Sequence, residues 1–211
     1  IPEASGAISF STPTWTSGKA KIEISTTTSY QIEYQINGTS GTWTKAPTRT
    51  TSIEVTALSH NDRVYARLTD GVSSGKHTYA DIKDTVAPAD FTITVSDITY
   101  EGLKITGSTV DNESGLKDYT YVVEDEKGTK VVEAKNQTAT SYEVTTGLTE
   151  ETNYTVYMIA YDNAGNTKVS TKESIKTEKY PVSEMFGEYI DYPIDLNEDG
   201  DTTNDWMIFY Q

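Results

Sequence analysis

The sequence predicts an all-β chain of two tandem antiparallel β-sandwiches followed by a short β-rich segment. Three observations carry that reading. Apolar residues alternate with polar ones at period two, turn-forming pairs punctuate the alternating runs, and the pattern recurs after about 90 residues. No stretch shows amphipathic helical periodicity.

In the first repeat, Ala20, Ile22 and Ile24 alternate with Lys19, Lys21 and Glu23. Tyr30, Ile32, Tyr34 and Ile36 alternate with Gln31, Glu33 and Gln35, and Val64, Ala66 and Leu68 with Arg63, Tyr65 and Arg67. Successive side chains of a strand point to opposite faces, so each run offers one face to a core. In the second repeat, Phe91, Ile93 and Val95 alternate with threonines. Tyr119, Tyr121 and Tyr154 fall at inward positions, while Tyr157 and Tyr161 lie on the face opposite Val156, Met158 and Ala160. Asn37-Gly38, Asp70-Gly71, Ser114-Gly115, Lys127-Gly128 and Ala164-Gly165-Asn166 supply the turns. Ser52–Thr56 precedes Leu58 as Ser141–Thr145 precedes Leu148, and the strand positions Val64 and Tyr154 follow the two leucines at the same spacing. Asp84-Thr85-Val86-Ala87-Pro88 reads as a short, stiff joint. The expected boundaries are 1–86 and 87–178 for the sandwiches and 179–211 for the last segment.

The run from Leu148 through Tyr154 to Val156 resembles the corner of fibronectin type III and related bacterial immunoglobulin-like domains. That resemblance implies a tyrosine whose ring packs in the core and whose hydroxyl bonds to backbone just upstream. The run Ala160–Asn166 and the entry Asp84–Pro88 are similar to the same domains. The match covers 87–178 well and 1–86 more loosely. Val64 stands where a tyrosine is expected, and Leu103-Lys104-Ile105 lacks the family's tryptophan. The resemblance implies tandem domains of secreted or cell-surface, pilus- or adhesin-type Gram-positive proteins. The expected function is a non-catalytic extracellular stalk or adhesion segment. A carbohydrate-binding accessory module of a secreted polysaccharide-degrading enzyme is the alternative.

Composition narrows the classes. With 17 Lys+Arg against 32 Asp+Glu the formal net charge is -15. Such a chain repels nucleic acid and anionic lipid, and no apolar run approaches the roughly 18 residues of a membrane helix. There is no cysteine, hence no disulfide scaffold, thiolate metal site or thiol nucleophile. The two histidines, His60 in a turn and His77 at a strand edge, read as surface residues. Ile1 in place of an initiator Met reads as a processed or trimmed chain. An extracellular or bacterial cell-surface location is the expectation, with an unidentified protein or glycan as partner.

The charge is unevenly spread. Residues 1–86 hold 8 basic and 8 acidic side chains, residues 87–178 hold 8 and 16, and residues 179–211 hold 1 and 8. The densest acidic stretch runs from Asp195 to Asp205. Its Asp-x-Asn-x-Asp-Gly order turns alternate oxygens toward one point, with Gly200 permitting a sharp turn, which suits Ca²⁺. The stretch resembles the calcium loops of EF-hand and dockerin proteins. By that resemblance Asp195, Asn197 and Asp199 are side-chain ligands, Asp201 gives its carbonyl, and Thr203 acts directly or through water. Asp205 stands at the eleventh position and Trp206 at the twelfth, where those families place an acid. The flanks, 189–194 and 207–210, read as strands. The alternative is a solvated acidic hairpin loop.

A second acidic group, Asp111-Asn112-Glu113, is one that a sandwich could bring toward Asp162-Asn163 at one end of the second domain. It reads foremost as two polar loops rich in turn formers, and otherwise as an inter-domain calcium site beside Asp84. The aromatic load of 179–211 must pack against something, either by docking or as the opening of a further domain. Its final strand, 206–210, is also a candidate for edge pairing with a neighbouring molecule. Lys21 and Lys104 are candidates for an isopeptide crosslink. Exposed Trp or Tyr rings, with Trp15 and Trp43 in the first repeat, are candidates for sugar stacking.

Overall fold

The computed structural model describes residues 1–181, in which Ile1–Glu178 form one compact unit, and Lys179 begins a second. The first half of that unit contains a single helical turn, α1 (Ala4–Ala7), and eight strands. These are β1 (Ile8–Phe10), β2 (Thr14–Thr16), β3 (Lys19–Thr26), β4 (Gln31–Ile36), β5 (Thr44–Lys45), β6 (Ser52–Leu58), β7 (Arg63–Thr69) and β8 (Thr78–Asp81). Ile24 pairs with Phe10 and Ile53, and Ala20 with Trp15 and Leu58. β1 and β2 therefore share one side of β3 and β6 takes the other. Pro13 falls in the break between β1 and β2, where its missing N–H costs no ladder bond. The facing sheet runs β5-β4-β7-β8.

The second half holds β9 (Ile93–Ser96), β10 (Leu103–Gly107), β11 (Leu116–Glu124), β12 (Lys130–Gln137), β13 (Ser141–Val144), β14 (Asn153–Asp162), β15 (Thr167–Val169) and β16 (Glu173–Lys176). One sheet is β13-β10-β9. The other is β12-β11-β14, with β15 and β16 sharing the far side of β14. All pairings among the described residues are antiparallel, and those residues form two all-β sandwiches in tandem.

The alternating residues fill two cores as their pattern demands. Ile22, Ile24, Ile32, Leu58, Val64 and Leu68 are at most 2 % exposed, as are Ile105, Tyr121, Val123, Val156 and Met158. Each fully buried Ile or Leu contributes about 1.5–3 kcal/mol. Tyr119 and Tyr154 also lie in the second core.

The corner implied by the resemblance is present. The Tyr154 hydroxyl accepts the Thr149 N–H at 2.9 Å, while Leu148 is buried in the core. At the matching place in the first sandwich, with Val64 in the core, a carboxylate takes over. Asp62 accepts the Ser59 N–H through Oδ2 (2.6 Å) and the Asn37 amide through Oδ1 (2.7 Å).

Several positions depart from simple alternation; on β11 every residue from Asp118 to Val123 is buried, and three others are informative. Glu33, on the polar face of β4, is buried because Arg67 (2.8 Å), Lys45 (3.6 Å) and the Ser74 hydroxyl (3.1 Å) surround it. Ile36, the last residue of β4, is exposed. Tyr157, on the outer face of β14, is buried beneath its own polar partners. Its hydroxyl donates to Glu124 at 2.6 Å, and Lys172 Nζ lies 4.3 Å from the ring centre.

Candidate metal centre at the joint

The connection between β8 and β9 is tied down along its length. The Ile82 N–H donates to the Asp62 carbonyl and the Asp84 N–H to His60 Nδ1 (3.0 Å). The Val86 carbonyl accepts from the Asn166 amide (3.1 Å), Ala89 pairs with Val110 and Thr109, and the Phe91 carbonyl accepts the Thr171 N–H. His60 is thus a half-buried structural acceptor, which corrects its reading as a surface residue. His77 is exposed as expected.

This clamp gathers three carboxylates. Asp84 comes from the joint, Asp111 from the β10–β11 loop, and Asp162 from the end of β14. Each presents an oxygen within 4.8 Å of the others'. Asp84 and Asp162 are 4 % and 0 % exposed, and Asp111 is partly buried. The two polar loops of the sequence therefore do converge, and beside Asp84.

Local backbone sets the orientation of each acid. Asp84 accepts the Val86 N–H through Oδ1 (2.9 Å) and the Ser114 N–H through Oδ2 (3.0 Å), which bridges the two sandwiches. Asp111 Oδ2 accepts the Gly115 N–H (2.6 Å), and Gly115 takes a φ of +87° that glycine allows at no steric cost. Asp162 accepts the Ala164 and Asn166 N–H groups and the Asn166 amide at 2.8–2.9 Å. Asn163 closes the ring of loops, donating to the Ser114 and Gly115 carbonyls.

Among the described residues no Lys, Arg or His side chain forms an ion pair with these three acids. Asp111 Oδ1 is buried without a hydrogen-bond partner. Burial, followed by the charges of Asp84 and Asp162, pushes the Asp111 carboxyl above its ordinary pKa. An all-oxygen donor set with an orphaned buried carboxylate oxygen fits a hard divalent cation. The only imidazole nearby, His60, has its Nδ1 occupied by the Asp84 N–H.

The other sequence candidates fall elsewhere. Asp195, Asn197, Asp199, Asp201, Thr203 and Asp205 lie outside the described residues. Lys21 pairs with Glu54 (2.8 Å) and Lys104 with Glu143 (3.5 Å), both at the surface. Two shallow clefts of about 420 Å³ each contain one carboxylate apiece, Glu126 and Asp70. Glycoside hydrolysis of the usual kind needs a pair. Glu126 is bonded to Asn153, and the Ser73 and Val72 N–H groups hold Asp70 below the usual carboxylate range. Sequence reasoning did not single out Ser114 or Asn166, which pin the joint. Their signal lay in the turn pairs Ser114-Gly115 and Gly165-Asn166, which revealed turns without revealing their partners.

The chain matches no protein-family model and no curated protein. It is similar to a two-domain fibronectin type III segment of chicken tenascin, at 17 % identity and a TM-score of 0.48, over 81 % of this chain and 97 % of that one. It is also similar to titin domains A168–A170, at 16 % identity and a TM-score of 0.42, over 82 % of this chain and 67 % of that one. A structure titled as a myokine aligns at 18 % identity and a TM-score of 0.38, over 46 % of this chain and all of the other.

Proposed function

We propose that the chain is a non-catalytic, extracellular stalk or adhesion segment of a bacterial cell-surface protein, in which Ca²⁺ at Asp84, Asp111 and Asp162 fixes the joint between the sandwiches. The observation that carries the reading is the meeting of three acids from three separate stretches of chain, with no basic side chain paired to them among the described residues and one buried oxygen unpaired. Ca²⁺ takes six to eight oxygens in flexible geometry, so the carboxylates would be completed by carbonyls and water. The ion would cancel the repulsion that the fold otherwise carries and would couple the two sandwiches through Asp84. A cation in the 195–205 loop, read from the sequence, would be additional and independent.

Calorimetric titration with Ca²⁺ tests this on the full chain, on Asp111→Asn, and on a variant with Asp195 and Asp199 both changed to Asn. Binding heat that persists in the loop variant and is lost in Asp111→Asn supports the joint site. Heat that survives in Asp111→Asn and vanishes in the loop variant assigns the calcium to the C-terminal loop and overturns the joint site.

A further inference from the structure

The outer face of the β5-β4-β7-β8 sheet has no layer packed over it among the described residues. Its composition is set by strand register. Arg63 stands opposite Asp81, Tyr65 opposite Tyr79, Arg67 opposite Glu33, and Gln35 opposite Tyr65. The alternate residues Val64, Ala66 and Leu68 face the core at 0 % exposure. Four rings follow one another along this sheet, Trp43, His77, Tyr65 and Tyr79, with centroid separations of 6.3, 5.4 and 5.8 Å; Trp43, expected from the sequence as a stacking ring, is buried at 8 % exposure, whereas His77 and Tyr79 are exposed. A guanidinium caps each end of the row, Arg67 over Trp43 and Arg63 over Tyr79, both 4.1 Å from the ring centre. Each guanidinium is held in turn by a carboxylate, Arg67 by Glu33 (2.8 Å) and Arg63 by Asp81 (2.6 Å).

We infer that this face binds a neutral polysaccharide. Three features select that class. The first is shape: β8 is an edge strand of the sheet among the described residues, and Tyr79 on it is 51 % exposed, so a ring is available there for stacking against the C–H face of a sugar. The second is hydrogen bonding. Arg63 and Asp81, whose side chains are each 39 % exposed, present a planar donor and a planar acceptor side by side at the edge, an arrangement that suits vicinal hydroxyls. The third is charge. The two guanidinium–carboxylate pairs cancel, and Lys45 beside Glu33 leaves a single net positive charge, so the face carries little charge in a chain of net charge -15. A polyanion would be repelled by the rest of the chain. The outward positions of β4, β5, β7 and β8 carry no aliphatic side chain, whereas the buried centre of a protein–protein interface is apolar.

The test is affinity electrophoresis of the full chain through gels containing hydroxyethylcellulose, xyloglucan or galactomannan, with polygalacturonate as the acidic arm. Retardation by at least one neutral polysaccharide is expected. Tyr79→Ala should weaken it roughly tenfold, equivalent to about 1.4 kcal/mol. Tyr161→Ala, on the second sandwich, should leave it unchanged, and thermal unfolding verifies that both variants fold. Failure of every neutral polysaccharide to retard the chain overturns the inference, as does retardation by polygalacturonate alone or undiminished binding by folded Tyr79→Ala. Concentration-dependent mobility in polysaccharide-free gels that Tyr79→Ala abolishes would instead make this face a protein contact and would equally overturn it. Calcium binding at the joint is read out separately and does not depend on the outcome.

Discussion

Replacing Asp111 by Asn should stabilise the protein without calcium and abolish its gain from calcium. The three acids present oxygens within 4.8 Å of one another. At an effective dielectric near 20, unit charges about 5 Å apart repel by about 3 kcal/mol. Asp111 is partly solvated, and its charge is spread over two oxygens, which reduces the figure to about 1 kcal/mol for each of its two pairs. Asn keeps an acceptor for the Gly115 N–H and adds a donor toward the other acids. In EDTA at pH 7 the variant should therefore gain about 2 kcal/mol, or about 4–8 °C in Tm for a unit of this size. Burial and the neighbouring charges raise the Asp111 pKa in the fold, so its ionised form opposes folding. The advantage of the variant should accordingly shrink as pH falls through that raised value and wild-type Asp111 takes up a proton. With about 10 mM Ca²⁺ and a Kd of about 0.1 mM, typical of extracellular modules, the wild type should gain about 2.7 kcal/mol. Scanning fluorimetry with and without calcium reads both arms. A variant less stable than wild type in EDTA, or one with an undiminished calcium response, refutes the electrostatic account.

Three further outcomes follow from the packing. Tyr154→Phe keeps the buried ring but leaves the Thr149 N–H without its acceptor, and should cost about 1–2 kcal/mol in urea unfolding with the m-value unchanged. Gly102→Ala would drive a Cβ into the Val144 carbonyl and should cost about 1–3 kcal/mol, read as a lowered urea midpoint. Burial pushes the phenols of Tyr121 and Tyr157 up to about 12, with Tyr119 adding to the first and the Glu124 hydrogen bond and charge to the second. The neutral phenols are favoured in the fold, so stability should fall as pH rises from about 10 toward 12. Ultraviolet titration should show a late-titrating phase that Tyr121→Phe and Tyr157→Phe each diminish, and Glu124→Gln should bring Tyr157 down.

The strands and cores were legible because burial on one face of a strand writes period two into the sequence, as in Val64-Tyr65-Ala66-Arg67-Leu68. The corner was legible because Leu148 and Tyr154 are close in sequence. Features made by distant residues were not. Asp62 substitutes for a tyrosine hydroxyl only because the chain returns Ser59 and Asn37 to it. Glu33 reads as a solvated residue until register sets Arg67 and Lys45 beside it. Asp84, Asp111 and Asp162 each look like ordinary turn formers, so their meeting stood in the sequence only as the second reading of those loops, and the packing of three connections is what makes them neighbours. The short helix α1 shows no periodicity because one turn is too brief to have any.

The bonded joint also bears on how the chain would respond to pulling. Residues 82–92 link β8 to β9, and a free linker extends by up to roughly 3.5 Å per residue, which here amounts to tens of ångströms. The bonds to Asp62, His60, Ser114, Asn166, Val110 and Thr171 keep that length folded away. Under tension it would be paid out only after the clamp failed. The joint would then act as a fuse, yielding before either sandwich lost its core, and, if it holds Ca²⁺ as proposed, its breaking force would follow the calcium concentration.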